Sequence, residues 1–471
     1  SLLSATMLGD ESIGGAGLEA WFDEELSGTS GYHEVQGLQD RVEGNRAAIH
    51  RAKVDGKDVT LTLDIALQEA AEWVLQHPES PPLLADKNVD DLWFAGPVGA
   101  IVLATVGGEI LAAASVPVKS GHPVSPASED EERSRAIDRT LVRPHGQAPG
   151  SVVKPLLAAY ALEHLGLNPD EGLEYCDANR PRPGTSPKSD KHAGYGVVNC
   201  NSKWGHTHKS EQKLDLMDSL KVSCNVYFAA LGERVFDPQS MRAAYGMFGF
   251  GQPTGVRYDD DGRRNGITDS FWHSAESPLR EEASDDVPTS VERQYLGNGL
   301  VHVDVNVVQM ARAYAALATG FLPNMTLVKN VGGTPVPRKI AALDISEKHL
   351  VLVREALNRV VNERFGTAHG KGLSEAELGF ALAAKTGSAD YKEGIVPPRD
   401  KRGIALGSYI RGIRKHTWLA GWFPVEDPRY VVVVYLHDTS ATAGHSAVYV
   451  AGQFLKTDAV QQLMGVGEEG R

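Results

Sequence analysis

Two groups of strand-forming sequence lie far apart in this chain, with helix-forming sequence between them. Gly99 to Val106 and Glu109 to Ser115 are apolar stretches joined by Gly107-Gly108, the pattern of a hairpin. His416 to Phe423 and Tyr430 to Leu436 are apolar and rich in β-branched or aromatic residues, and Pro424 to Arg429 turns between them. Between these groups the spacing predicts helices over Ser151–Leu165, Leu214–Leu231, Val305–Ala318 and Ser346–Phe365. The first is bounded by Pro149-Gly150 and Gly166, and tolerates Pro155 in its first turn. In the last, Leu350, Val353, Leu357, Val360 and Val361 share one face. Gly444 to Leu455 predicts a closing helix. Strands, a helical middle and more strands imply an α/β (α+β) domain whose sheet is assembled from distant parts of the chain.

Upstream, Asp58 to Asp64 alternates polar and apolar residues as a strand does, and Ile65 to Leu75 reads as a helix with Asp64 as its N-cap. Residues 1–57 are rich in glycine and charge, with one short helix expected over Gly17–Phe22, and look too thin to hold their own core. The expected division is therefore 1–57 and 58–471. Residues 117–145 and 251–290 read as loops, and 168–213 as an irregular insertion.

Net charge is −14 over 471 residues, which disfavours nucleic acid and anionic membrane as partners. No apolar run approaches the length of about eighteen residues that a membrane helix needs. No secretory signal pattern opens the chain, and it starts at Ser1 rather than Met, so an N-terminal piece is expected to have been removed. The run Glu129-Asp130-Glu131-Glu132 reads as a solvated loop. Three cysteines are not a disulfide framework and leave the compartment undecided.

Three short motifs carry chemistry: Ser151-Val152-Val153-Lys154, Ser223-Cys224-Asn225 and Lys385-Thr386-Gly387. Singly, each has a plain reading as a helix cap, a turn or a strand end; their order and contexts together point to acyl transfer. A serine hydroxyl is a poor nucleophile until a base removes its proton. Residues three apart on a helix stack, which puts the Lys154 amine one turn from Ser151. Burial and a nearby cation such as Lys385 would bring that amine toward neutrality. Ser223 and Asn225, two apart, reach one cleft only from a loop or tight turn. There a second hydroxyl can pass a proton to a leaving amine, and a carboxamide can hold a substrate amide. Lys385-Thr386-Gly387-Ser388 follows an apolar stretch as an edge strand would. Lys385 supplies positive charge, Thr386 and Ser388 supply hydroxyls for a substrate carboxylate, and Gly387 allows close approach of a substrate backbone. The backbone N–H groups of Ser151 and Ser388 are the expected oxyanion hole.

On these motifs the chain resembles the penicillin-binding proteins, specifically the transpeptidase domain of the class B type. Further stretches carry the likeness: Gly17-Leu18-Glu19 with Leu26-Ser27-Gly28, Val59 to Asp64 with Leu67-Gln68, and Gly108 to Ala112 with Ser115 and Pro117. It continues through Arg135-Ala136, Pro149 to Pro155, Tyr227-Phe228 and Gly297-Asn298-Gly299. Gln309 to Ala311, Ala313 to Ala315, Lys385 to Ala389 and Trp418 to Pro424 complete the order.

The resemblance implies an antiparallel sheet flanked by helices, a helical subdomain and a short extended N-terminal pedestal. It implies a D,D-transpeptidase of peptidoglycan stem peptides ending in D-Ala-D-Ala, acylated at Ser151 and blocked there by β-lactam antibiotics, acting outside the cytoplasmic membrane. A membrane glycosyltransferase of the cell-wall machinery is the implied partner. Departures are a truncated pedestal, no anchor, no glycosyltransferase domain, and a glycine stretch reduced to Gly444-His445. Some elongation-type relatives are similar in having a metal site between the first two motifs. Here Cys176, Cys200, His206 and His208 match no standard zinc spacing, so no metal and no cofactor is expected. A Cys176–Cys200 disulfide, a zinc site and unlinked residues stay open, and Cys224 reads as a small buried filler. Other readings are a D,D-carboxypeptidase or β-lactamase that uses water, and a β-lactam sensor or divisome or elongasome scaffold. For a β-lactamase, Glu355-Ala356-Leu357-Asn358 is one residue short of the expected spacing, and Glu355 reads as a helix-surface residue.

Overall fold

The protein is described by a computed structural model that covers residues 6–7, 18–19, 22–29, 32–34, 49–77, 98–116, 148–176, 200, 213–256, 290–300, 303, 305–395, 410–440 and 447–466. The loops expected at 117–145 and over most of 251–290 fall outside these residues. So do most of the 168–213 insertion, the run Glu129–Glu132, His206, His208 and Gly444-His445.

A five-stranded antiparallel sheet forms the centre of the larger of two units. Its strands are β1 (Val98–Thr105), β2 (Ile110–Val116), β3 (Ala383–Ile395), β4 (Ile410–Phe423) and β5 (Tyr430–Ser440), in the order β3-β4-β5-β1-β2. The hairpin β1–β2 thus joins strands from the far end of the chain through the β5–β1 pairing, where Val433 lies opposite Val102. Val431 to Leu436 is buried at every position, which requires cover on both faces of the sheet.

Helices supply that cover. They are α1 (Ile65–Gln76), α2 (Lys154–His164), α3 (Leu216–Lys221), α4 (Asn225–Arg234), α5 (Val307–Thr319), α6 (Glu347–Asn362) and α7 (Ala447–Leu455). Helix α5 packs against β1, β4 and β5, while α7 packs against β4, β5 and α1. Residues Val307 to Ala318 of α5 are all buried, so it is a core helix rather than an amphipathic surface one. Its start is fixed by a capping box in which Asn306 and Gln309 satisfy each other's backbone N–H groups. Asp64 caps α1 as its sequence predicts, accepting from the Leu67 N–H at 3.1 Å.

Three expected helices differ in detail. Ser151–Leu165 begins with a 3₁₀ turn over Gly150–Val153, and the α-helix starts only at Lys154. Leu214–Leu231 is two helices, α3 and α4, broken at Val222–Cys224, because Ser223 takes a left-handed backbone (φ +56°) that a continuing helix excludes. Ser346–Phe365 stops at Asn362, and Phe365 is itself left-handed at φ +72°. A last helix over Asp458–Met464 follows α7 and was not expected.

The smaller unit comprises Ser1–Thr62, Gly255–Arg264 and Thr326–Arg338. It holds a three-stranded sheet of Thr6–Met7, Tyr32–Glu34 and Ile49–Arg51. A second pairs Val59–Leu61 with Val328–Val331, which in turn pairs with Thr334–Pro335. Its division therefore differs from 1–57: it takes a hairpin from much later in the chain.

Candidate active site

All three motifs lie in the larger unit. The 3₁₀ turn that carries Ser151 is held from several sides. Gly150 sits at φ +57° with its N–H donated to the Gly299 carbonyl at 2.8 Å. The buried Tyr314 hydroxyl on α5 donates to the Val152 carbonyl at 2.8 Å. The Trp418 indole N–H on β4 donates to the Ala148 carbonyl at 3.0 Å. A Cβ on Gly150 would sit on the Ser388 carbonyl oxygen, and one on Gly387 would come to 2.7 Å from the Pro149 carbonyl oxygen. The first and third motifs therefore touch backbone to backbone, and both glycines are there because nothing larger fits.

Lys154 is the first residue of α2 and is fully buried. Among the described residues its amine gives all three of its hydrogen bonds to the second motif. It donates to Asn225 Oδ1 at 2.7 Å, to the Ser223 carbonyl at 3.0 Å and to Ser223 Oγ at 3.4 Å. Burial pulls its pKa down to about 8, against the opposing fields of Cys200, Cys224 and Cys176. Desolvation is the first cause, as expected, and Lys385 is not among the causes. That like-charge repulsion falls on Lys385 instead: burial, then Lys154, then Lys371 hold its amine well below the ordinary lysine range.

The break between α3 and α4 lets Ser223 and Asn225 reach one amine although they are two apart in sequence. Asn225 opens α4, and Asn298 supports it by donating to the Asn225 carbonyl at 3.2 Å. The cap of α4 is Cys224, whose sulfur accepts from the Tyr227 N–H at 3.4 Å. Lys385, Thr386, Gly387 and Ser388 lie on β3, the edge strand expected. The Lys385 amine is buried and donates to the Thr386 carbonyl at 2.9 Å, so the chain folds it inward beneath its own motif.

Cys176, Cys200 and Cys224 gather beside this site, with their sulfurs all within 4.8 Å of one another. The sequence reading set Cys224 apart from the other two; the structure joins it to them. Cys200 and Cys224 are 3.6 Å apart, and all three stand as thiols. Cys200 also accepts the Asn225 N–H at 3.1 Å, so it helps to orient the second motif. Contacts with Cys176 and Cys200, and then burial, hold the Cys224 thiol well above its ordinary pKa. Three sulfurs around one point are a donor set that suits a thiophilic ion such as zinc, whose structural sites take four ligands.

Sequence reasoning met Asn298 and Tyr314 only within the family-like stretches, without a role, and did not single out Thr367 or Lys371. Glu355 is as expected on the surface of α6, accepting from Arg359 Nε at 3.0 Å.

The profile of the penicillin-binding protein transpeptidase domain matches residues 98–456. The chain belongs to that family. Among curated proteins it is 23% identical over 462 residues to the peptidoglycan D,D-transpeptidase MrdA of Haemophilus influenzae, covering 94% of this chain and 62% of that protein. It is 24% identical to stage V sporulation protein D of Bacillus subtilis, covering 97% of this chain and 62% of the relative. The chain thus spans less than two thirds of the length of these relatives. A crystal structure of Pseudomonas aeruginosa PBP2 in complex with WCK 5153 matches with a TM-score of 0.62 and 22% identity, over 98% of this chain and 83% of that one. A putative peptidoglycan glycosyltransferase from Atopobium parvulum matches with a TM-score of 0.64 and 22% identity, over 96% and 87%. These structures share the penicillin-binding fold. Among the described residues no helix is long and apolar enough to cross a membrane.

Proposed function

We propose that this domain is a serine D,D-transpeptidase of peptidoglycan stem peptides, working through an acyl-enzyme on Ser151. The observation that carries the reading is the Lys154 amine. It is buried, brought to about 8, placed three residues from Ser151 and bonded to both polar residues of the second motif. An amine so placed can take a serine proton at neutral pH.

Ser151 Oγ attacks the carbonyl of the penultimate D-Ala while its proton passes to neutral Lys154. The backbone N–H groups of Ser151 and Ser388 receive the oxyanion. The C–N bond then breaks, and the terminal D-Ala leaves as an amine, taking a proton through Ser223. Asn225 holds the stem's amide, and Thr386 and Ser388 with Lys385 hold the terminal carboxylate beside Gly387. An amine from a second stem attacks the ester, forms the cross-link and returns the serine proton. A β-lactam enters by the same first step and stays as the ester. This chemistry belongs outside the cytoplasmic membrane, beside a glycosyltransferase that makes the glycan strands. A Helicobacter pylori PBP2 solved in complex with MreC is a family member seen with a protein partner.

Acylation by a fluorescent penicillin, read by intact mass on the wild type and on Ser151→Ala, tests the reading. One adduct that vanishes in Ser151→Ala is expected. No adduct on the wild type at high drug concentration would sink it and favour a scaffold. Fast loss of the adduct to water would favour a β-lactamase, against which the pairing of Glu355 with Arg359 already counts.

A further inference from the structure

Helix α6 ends at Asn362, and the segment after it reaches the third motif through one side chain. Thr367 and Thr386 face each other with their hydroxyl oxygens 2.6 Å apart, and among the described residues each hydroxyl has the other as its partner. Both backbones are fixed. Thr386 lies on β3 opposite Leu419 of β4, and its carbonyl accepts from the Lys385 amine at 2.9 Å. The Thr367 N–H donates to the Lys221 carbonyl at 3.3 Å, and the Thr367 carbonyl accepts from the Lys371 amine at 2.7 Å. Its neighbours are tied back to the end of α6: the Gly366 N–H donates to the Glu363 carbonyl at 3.0 Å, and the Ala368 N–H to the Val360 carbonyl at 3.1 Å. Both threonines are half-buried, so the pair sits at the surface of the core rather than inside it.

Each hydroxyl has one hydrogen and two lone pairs. The bond between the two uses one hydrogen and leaves one for a third group. When Thr386 donates to Thr367, its hydrogen is spent, and it meets a ligand only with a lone pair, which a carboxylate repels. When Thr367 donates to Thr386, the Thr386 hydrogen is free for a carboxylate, which only accepts. An anion at Thr386 therefore selects the chain from Thr367 to Thr386 to carboxylate, and each bond in such a chain strengthens the next. We propose that Thr367 is a positioning residue: its hydroxyl sets Thr386 as the donor to the substrate's terminal carboxylate and so sharpens the choice of a carboxylate-ended stem. The inference rests on the acyl-transfer reading of the same cleft and adds a specificity residue outside its three motifs. A neutral carboxamide in the carboxylate's place carries both N–H and C=O groups, so it pairs with either arrangement and gains little from Thr367.

The test compares two thioesters of the same N-acyl-D-alanine, one leaving as mercaptoacetate and one as mercaptoacetamide. Thiol release is followed with wild type, Thr367→Val and Thr367→Ser, and any intrinsic difference between the thioesters cancels in the ratio of variant to wild type. Thr367→Val, which keeps the shape and removes the hydroxyl, should lower kcat/KM for the carboxylate thioester about fivefold more than for the carboxamide. Thr367→Ser should restore most of that difference. Equal losses for the two thioesters in Thr367→Val would make the threonine a purely structural prop and overturn the inference, as would no loss, or a serine variant as poor as the valine one. If Thr367→Val does not fold, Thr367→Ala carries the same comparison. If Ser151 takes penicillin but the wild type turns over neither thioester, the same ratio is read from acylation by benzylpenicillin and by its carboxamide. If the wild type releases no thiol and Ser151 takes no penicillin, the acyl-transfer reading fails first. A penicillin-labelled Ser151 with an unchanged ratio in Thr367→Val overturns this inference alone.

Discussion

The Lys154 amine and the Asn225 side-chain oxygen lie 2.7 Å apart, a part-buried bond between the start of α2 and the start of α4. It joins two motifs that are distant in sequence, and it sets which state of the amine is favoured. Asn225→Asp would replace a neutral acceptor by an anion at the same place and raise the Lys154 pKa. Acylation at pH 7 should then slow by about tenfold or more, with the rise in rate displaced to higher pH. Stopped-flow penicillin acylation across pH 6 to 10 would read this. An Asp variant with the wild-type profile would remove Lys154 from the proton path.

The wild-type profile itself follows from burial. With Lys154 brought to about 8, roughly a tenth of the amine is neutral at pH 7 and about nine tenths at pH 9. The acylation rate should therefore climb about tenfold over that interval. Stability carries the same signature. The folded state binds this proton less tightly than the unfolded chain. The Lys154 contribution to stability therefore rises between about pH 8 and the unfolded lysine value, and is flat below. Lys154→Met should remove that part of the slope in urea midpoints and abolish acylation.

The contact of Gly150 with Ser388 makes a sharper structural prediction. Gly150→Ala forces a side chain into a left-handed backbone and onto the Ser388 carbonyl, so it should cost more than about 2 kcal/mol and stop acylation. Gly166 has a similar φ of +64° with nothing within 4 Å of a built Cβ. Gly166→Ala should cost only about 1 kcal/mol and leave the penicillin adduct in place. Thermal melts and intact mass on the pair separate clash from backbone strain.

The sheet was legible because its strands are apolar on both faces and bounded by turns, as in Tyr430 to Leu436. The edge position of Lys385 to Ser388 was legible from the apolar Ala381 to Ala384 that leads into a polar motif. The break at Ser223 was legible only from the chemistry of the second motif, which needs a turn there, and not from Leu214 to Leu231, whose helical patterning is unbroken. Burial was anticipated as the source of the Lys154 shift, but Lys385, expected beside it, is not among the causes. The extent of that burial is the number of atoms around the amine, which spacing cannot report. Tyr314 and Lys371 each donate to a backbone carbonyl, and a carbonyl looks alike in every residue. The gathering of Cys224 with Cys176 and Cys200 needed the turn at Ser223 before it could be drawn.

Helix α2 carries Lys154 at one end and Glu163 near the other, and Glu163 ties it to α6. One carboxylate oxygen of Glu163 accepts from the Ser346 hydroxyl at 2.6 Å, the Ser346 N–H at 2.8 Å and His349 Nδ1 at 2.7 Å. These bonds, the Ser346 hydroxyl first, hold its carboxyl down to about 2. A carboxyl depressed on folding stabilises the protein above its unfolded pKa, and that stability is lost as pH falls from about 4.5 toward 2. Glu163→Gln should therefore flatten the acid limb of the stability curve over that window and lower the melting temperature at pH 7. Helix α6 leads directly to Thr367 and Lys371, so loosening its start should also slow acylation at temperatures where the fold is intact. A Gln variant with the wild-type acid limb would show that Ser346 and His349 find other partners and that α6 is anchored by its apolar face alone.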